Sequence, residues 1–453
     1  MLSVGLAAAL GAGGHVVQPY KKGPDYIDPM WLGLAAGRAC YNLDFYVMAR
    51  DEIRELFARH ACDAEVALVE GNKGLYDGLD LEGSNSNAAL ARLLDLPVIL
   101  VIDARGMTRG IAPLILGYQA FDRELRIAGV ILNRVGGSRH ESKLRAVIEH
   151  YTDVPVLGAV HEDAALQIRE RHLGLVPSNE ASLARDQVGK IAARVAAQVD
   201  LPRLLDLTRG PAIPAPPARP APQPPAYRIG IMRDRAFGFY YADDLDALRS
   251  AGAQLLPIDA LADASLPADL DGLVLGGGFP ESFMAELEAN AVLRGQIRAA
   301  IDAGLPAYAE CGGLMYLARS LRWGDKCHAM VGVIPGDVVM HDKPVGRGYV
   351  RLRHTGQAPW GETAGKEVYA HEFHYSSLEN LPGGVEYAYQ VERGHGVDGH
   401  HDGIVYRNLL ASYTHLRATR NDSWVEHFMA LVAEQAGGGR RNGAAPYATT
   451  REE

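Results

Sequence analysis

A cysteine flanked by glycines at the end of an apolar run is the most chemically pointed feature of this 453-residue chain. Tyr308-Ala309-Glu310-Cys311-Gly312-Gly313-Leu314-Met315 reads as a strand that turns abruptly into a helix at Cys311. Such a turn exposes the side chain, and the free N–H groups and dipole of the following helix favour a thiolate. Gly276-Gly277-Gly278-Phe279-Pro280-Glu281 follows another strand, and a glycine loop there can present N–H groups to an oxyanion. His415, in Ala411-Ser412-Tyr413-Thr414-His415, follows a strand-like run and is placed to serve as a base. A cysteine, a later histidine and an oxyanion loop are the parts needed for thioester chemistry on an amide. Cys40, Cys62 and Cys327 have no such surroundings and read as small buried residues.

A second group lies in the first half. Lys22-Gly23-Pro24-Asp25-Tyr26-Ile27-Asp28-Pro29 follows the strand-like Val16–Pro19. Two carboxylates and a tyrosine in a tight loop suit magnesium and acceptor positioning, although aspartates in turns are most often caps. Glu70 ends the strand Val66–Val69 and runs into Gly71-Asn72-Lys73-Gly74-Leu75-Tyr76-Asp77-Gly78. An acid at a strand's carboxyl end beside glycines is where P-loop NTPases hold magnesium. Asn133, closing Val130–Leu132, suits an adenine edge or, equally on spacing, a simple turn. His371-Glu372-Phe373-His374 is not the H-E-x-x-H of zinc proteases, and on a strand its histidines point to opposite faces. A metal site is disfavoured there, and the segment is given no role.

These residues need strands and helices to hold them. In the first half Val66–Val69, Val98–Ile102, Val130–Leu132 and Val154–Leu157 read as buried strands, with helices at Asn87–Leu94 and Ile111–Phe121. In the second, Ile229–Met232, Gly272–Leu275 and Ala307–Glu310 are strands, with helices at Asp243–Ala251 and Ala285–Ala303. A last helix opens at Ser423, with Glu426 closing a capping box. Alternation of this kind predicts parallel sheets covered on both faces, so both halves are α/β. Between them Pro211, Pro214, Pro216, Pro217, Pro220, Pro222, Pro224 and Pro225 form an extended, semi-rigid spacer. The expected division is 1–205, a linker 206–226, 227–436, and a disordered tail 437–453.

Composition removes several classes. With 48% hydrophobic and 22% charged residues, 50 Gly and 25 Pro, the chain can bury a core and is neither disordered nor collagen-like. A net charge of −10 without a dense Lys/Arg run argues against nucleic acid as a main partner. Four cysteines without a C-x-x-C pair argue against a zinc site or a disulfide framework and fit a reducing cytoplasm. No apolar run reaches the roughly 18 residues of a membrane span. The opening Leu2–Val17 lacks a basic flank and runs into Lys21 and Lys22, unlike a signal peptide. The expectation is a soluble cytoplasmic protein.

Ala307–Leu317, Leu275–Glu281 and Ser412–His415 resemble the class I (triad-type) glutamine amidotransferase domain, in its cobyrinic-acid-synthase branch. The resemblance implies Cys311 as nucleophile, His415 as general base, and Gly278 and Gly312 as oxyanion N–H donors. Many amidotransferases carry a glutamate two residues after the histidine; this chain has Arg417, which matches a branch working with a Cys–His dyad and leaves the third member open.

The first half resembles the synthetase domain of the cobyrinate a,c-diamide synthase family, a relative of dethiobiotin synthetase in the P-loop class. The likeness runs from about residue 3 to residue 435 and implies two doubly wound domains. It implies that two peripheral carboxylates of a tetrapyrrole are phosphorylated by MgATP, then attacked by ammonia released from glutamine. By matching motif Asp25, Tyr26 and Asp28 lie near acceptor and metal, Glu70 and Asp77 form a second acidic pair, Glu70 and Asp25 hold Mg2+, Lys22 touches phosphate and Asn133 the nucleotide. A carboxylate is a poor electrophile and ammonium has no lone pair to attack with, so a sheltered passage between the domains would serve both needs.

The family's first strand and its G-x-x-x-x-G-K-[ST] loop precede the helix that begins near Ser3, and Gly11-Ala12-Gly13-Gly14 does not replace them. The expectation is a start placed at an internal methionine. The rival reading is a glutaminase-only or non-catalytic tetrapyrrole-binding protein. Asn72-Lys73-Gly74 and Gly83-Ser84-Asn85-Ser86-Asn87 resemble a branch that amidates sirohydrochlorin or sirohaem, and a homodimer is left open.

Overall fold

The computed structural model describes residues 1–163, 167–168, 170–171, 174–180, 183–213, 216, 224–361 and 364–441. Most of the expected proline spacer (214–215, 217–223) and 442–453 of the expected tail lie outside them. The chain forms two units, Met1–Ala218 and Arg219–Glu453. The helix Leu201–Thr208 carries the first unit beyond residue 205, and the last helix, Trp424–Arg441, runs beyond 436.

The first unit is built on parallel strands, but on two three-stranded sheets rather than one. One has Val17–Lys22 between Tyr41–Leu43 and Val66–Glu70; the other has Ile127–Val135 between Val98–Asp103 and Val156–His161. No described strand joins the edges Val66–Glu70 and Val98–Asp103, and both edges line one cleft of about 2140 Å³. The Ala/Leu-rich helix Leu2–Ala12 packs tightly on Ala184–Gln198, where a Cβ on Gly5 would meet Val195 Cγ2 at 2.4 Å. Leu6, Leu32, Ile131, Leu157 and Ile191 close that core.

Val17–Lys22 is longer than the expected Val16–Pro19, because as a central strand it has partners on both sides to its end. Lys21 pairs with Glu70 on one side and Lys22 with Leu43 on the other. Both lysines therefore belong to the strand and not to the loop, and Asp28 sits in the helix Ile27–Ala36. The strand expected at Val154–Leu157 is Val156–His161.

The second unit has a nine-stranded sheet. Its first five strands are parallel: Ala253–Ile258, Tyr227–Met232, Gly272–Leu275, Ala307–Glu310 and Leu409–Ser412. Antiparallel His401–Tyr406, Glu386–Arg393, Gly346–His354 and Glu367–His374 extend it, and a separate four-stranded sheet flanks it. Helices cover the parallel part, with Phe428, Val432 and Leu248 on one face and Leu287, Ile297 and Leu314 in the other core.

The helix expected over Ala285–Ala303 is two, Met284–Ala289 and Ala291–Asp302. Asn290 breaks them: its Oδ1 accepts Leu293 N–H, and its Nδ2 donates to Ala260 O and Asp263 O. Ser423 Oγ accepts Glu426 N–H at 3.3 Å, one half of the capping box expected there. Cys40 is buried as expected, but Cys62 and Cys327 are exposed, Cys62 just past a helix and Cys327 on the edge strand Lys326–Ala329.

Candidate active site

Cys311 sits at the turn between Ala307–Glu310 and the short helix Gly312–Leu317, with φ 45° and ψ −101°. For a residue with a Cβ this is strained backbone, of the kind that survives only where the surroundings enforce it. Here Cys311 N–H donates to Ser412 O at 2.7 Å, and Cys311 O accepts Met315 N–H. The strand's ladder to Leu409–Ser412 and the wholly buried helix leave the turn little room to relax.

Gly278 and Gly312 meet beside it. A Cβ on Gly312 would lie 2.9 Å from Gly278 N, and one on Gly278 would lie 2.0 Å from Ala236 O. The two backbones approach as closely as they do because neither carries a side chain. Phe279 N–H on Ala236 O and the pairing of Gly278 with Phe237 fix this loop from its other side.

His415 is 3% exposed. The buried Asp402 carboxylate holds the chain ahead of it, accepting the N–H groups of Gly403, Tyr413 and Thr414 at 2.8–3.0 Å. His415 N–H donates to His371 O at 2.8 Å, and the two imidazoles stack with centroids 4.9 Å apart. Glu310 Oε2 lies 3.4 Å from His415 Nδ1. Burial disfavours charge on His415, but hydrogen bonding to Cys311 and Glu310 outweighs it and pushes the imidazole up to about 10. His371 goes the other way, held well below its ordinary range by burial and by the charges of His415 and Arg417, with Tyr241 Oη at its Nδ1. Arg417 is engaged elsewhere, paired with Asp243 at 2.8 Å and lying over the Tyr241 ring.

In the first unit the expected acidic residues gather on a lysine. Lys21 Nζ donates to Asp28 Oδ2 at 2.5 Å and Glu70 Oε1 at 2.7 Å, with Asp25 Oδ2 at 3.7 Å. Burial opposes the ammonium, yet Glu70, Asp28 and Asp25 together hold it well above its ordinary range. Burial and the neighbouring Asp28 push Asp25 up to about 6. Lys22 points to the opposite face of the strand, donating to Asn72 Oδ1 at 3.1 Å, and burial pulls its ammonium down. Tyr26 is buried at the start of the helix Ile27–Ala36. Asp77 is tied into its own loop, accepting Gly74 N–H at 3.0 Å, so Glu70 is grouped with Asp25 and Asp28 and not with Asp77. Asn133 lines the large cleft together with Glu70, Gly71, Lys73 and Gly74, and its Oδ1 is buried with no hydrogen-bond partner.

Cys311, His415, Gly278 and Gly312 thus come together, as do Asp25, Asp28 and Glu70. Sequence reasoning missed Lys21, Glu310 and His371. Strand parity was the available signal for the first two: Lys21 faces away from Lys22, and Glu310 faces the same way as Tyr308. His371 carried no such signal, since its bridge to His415 and the stacking of the two rings depend on which segments lie side by side. Among the described residues no group of three or more His, Cys, Asp or Glu side chains is arranged for a metal ion. No described helix is long and apolar enough to cross a membrane.

Residues 228–423 match the family model of the CobB/CobQ-like glutamine amidotransferase domain, and residues 47–169 match that of an AAA domain. The chain is 47% identical to the cobyrinate a,c-diamide synthase of Magnetococcus marinus, over 96% of this chain and 94% of that protein. It is 40% identical to the protein of the same name from Methanosarcina acetivorans, over 92% of this chain and 89% of that one.

Proposed function

The chain belongs to the cobyrinate a,c-diamide synthase family, glutamine-dependent amidoligases, and from that premise we propose that it converts the a and c acetate carboxylates of cobyrinate into amides. The observation that carries the reading is the convergence of Cys311, His415, Gly278 and Gly312 at one strained turn. Cys311 Sγ, its proton already taken by His415, attacks the carboxamide carbon of glutamine. The tetrahedral oxyanion faces the Gly278 and Gly312 N–H groups, and His415 returns the proton to the departing nitrogen, so that ammonia leaves. Water then cleaves the glutamyl thioester and releases glutamate.

In the first unit, Asn133 with its unpaired Oδ1, Lys73 and the Gly71–Gly74 loop suit a nucleotide at the carboxyl ends of the strands. A nucleoside triphosphate would supply the phosphoryl group that turns the acceptor carboxylate into an acyl phosphate, which ammonia can attack. Lys22 is near enough to this loop, through Asn72, to meet an anionic group there. Magnesium is another matter. Glu70 and Asp25, the ligands expected for it, already share Lys21 with Asp28, and the donor set does not fit a second cation as it stands. Lys21 itself is placed to keep these carboxylates oriented.

Asn72-Lys73-Gly74 and Gly83–Asn87 serve the local structure. Asn87 Nδ2 donates to Asn72 O and Gly74 O, and its Oδ1 accepts Asn72 N–H. These residues build the loop and are a poor guide to the acceptor, so the sirohaem branch draws no support from them.

The test offers purified protein glutamine, ATP and either cobyrinate or sirohydrochlorin, and follows products by mass spectrometry. Glutamine- and ATP-dependent formation of cobyrinate a,c-diamide is expected. Glutamate release without any amidated tetrapyrrole would establish the glutaminase-only reading instead, and amidation of sirohydrochlorin alone would move the acceptor.

A further inference from the structure

The histidine of the proposed glutaminase site has no carboxylate two residues on. Arg417 stands there, buried and committed to Asp243 and the Tyr241 ring. A carboxylate does approach His415 from the other side, one residue before the nucleophile. Glu310 ends the central strand Ala307–Glu310, where strand alternation turns it to the same face as Tyr308. Its Oε2 faces His415 Nδ1 at 3.4 Å, and its Oε1 accepts Leu416 N–H at 2.8 Å and the Tyr308 hydroxyl. One carboxylate therefore faces the imidazole and holds the backbone that follows it. It is braced from behind: Tyr308 stacks on Trp424 with centroids 4.0 Å apart, and Trp424 Nε1 donates to Asp244 at 2.9 Å.

We propose that Glu310 is the positioning carboxylate of the Cys311–His415 pair, supplied by the nucleophile's own strand in place of a residue after the histidine. The proposal rests on the reading of Cys311 and His415 as nucleophile and base. A carboxylate at Nδ1 fixes the tautomer, leaves Nε2 for the thiol, and stabilises the imidazolium formed when the thiol proton moves. The other charged or titratable groups facing His415 do not take this role. His371, stacked on it, is held neutral by burial, and Arg417 is balanced by Asp243. The upward push on His415 to about 10 has Cys311 and Glu310 as its causes, against the opposing effect of burial.

The decisive variant is Glu310→Gln in the full chain, with Glu310→Asp, Tyr308→Phe, Cys311→Ala and His415→Asn alongside. Glutamine-driven kcat should fall by about 10²-fold or more in Glu310→Gln, with ammonia-driven amidation retained and KM for glutamine changed little. The high-pH limb of glutamine-driven kcat/KM should move downward from about 10. Glu310→Asp, which keeps the charge, should hold that limb nearer its original position, and Tyr308→Phe should shift it less than Glu310→Gln. If Glu310→Gln does not accumulate as folded protein, the Asp and Phe variants carry the same pH readout. A Gln variant with near-parental kcat, or Gln and Asp variants equally slowed with the limb unmoved, overturns the proposal. Should Cys311→Ala and His415→Asn keep glutamine-driven turnover, the underlying reading of nucleophile and base falls, whatever Glu310 does.

Discussion

Around Cys311 the backbone does most of the positioning, whereas around Lys21 long side chains do it. The nucleophile's place follows from a strand end, a positive φ, a buried helix and two glycines with no room for a Cβ. The first unit's cluster hangs on one ammonium and carboxylates from a loop, a helix and a neighbouring strand, beside an open cleft of about 2140 Å³. Rigid backbone suits a reaction on one small, invariant substrate, where an oxyanion must meet donors already in place. A cleft edged by charges on long side chains suits larger polyanionic substrates that bring their own charge, and it leaves part of the organisation to binding.

The largest expected effect that would break this contrast is Cys311→Ala. Glutamine-driven amidation should drop by about 10⁴-fold or more, while ammonia-driven amidation persists, both read from product formation. If both activities vanish together, the two regions are not separable as described.

Gly278→Ala should come next. Its Cβ would fall 2.0 Å from Ala236 O, so the loop must shift, costing glutamine-driven kcat about 10²–10³-fold and stability about 1–3 kcal/mol. Retention of full activity would mean that the backbone at this turn is softer than its contacts imply.

Lys21→Met sharpens the other side. Removing the ammonium leaves Asp25, Asp28 and Glu70 facing one another, and urea unfolding of the first unit should show a loss of about 3 kcal/mol. Ammonia-driven amidation should fall with it, and glutamine hydrolysis without acceptor should not. Asn133→Ala is the mildest change: KM for ATP in the ammonia-driven reaction should rise by about tenfold, with unfolding unaffected.

The pH dependence separates the two regions again. His415, raised from 6.5 to about 10, contributes stability that is fully present below 6.5 and lost as pH climbs through about 10. Urea midpoints for the second unit should therefore decline over that window, and the decline should be absent in Cys311→Ala combined with Glu310→Gln.

Much of the second unit's site was legible because its signals are local. Tyr308–Met315 states a strand, a turn and a helix in eight residues, and Gly276–Glu281 states a loop after a strand. The helix at Ile111–Phe121 and the cap at Ser423 are likewise local. The expected single helix over Ala285–Ala303 failed because Asn290 finds acceptors 27 and 30 residues away, which no periodicity records. Spacing alone puts Lys21 and Lys22 in the loop for a similar reason, since only pairing on both sides keeps that strand extended to its end.

The sequence by itself determined what kinds of groups this protein can bring to bear. They are a thiol on an elbow, a later histidine, glycines for close backbone approach, and carboxylates after strands in the first half. Those are properties of residue type and short spacing, which the chain carries wherever it folds. Which groups face one another was decided only in three dimensions. Glu310 rather than the residue at position 417 meets His415, Lys21 rather than Lys22 gathers the carboxylates, and His371 stacks on His415 from a strand 44 residues earlier. Strand parity and sheet register choose among such partners, and both depend on which strands lie side by side, information that a linear spacing does not contain.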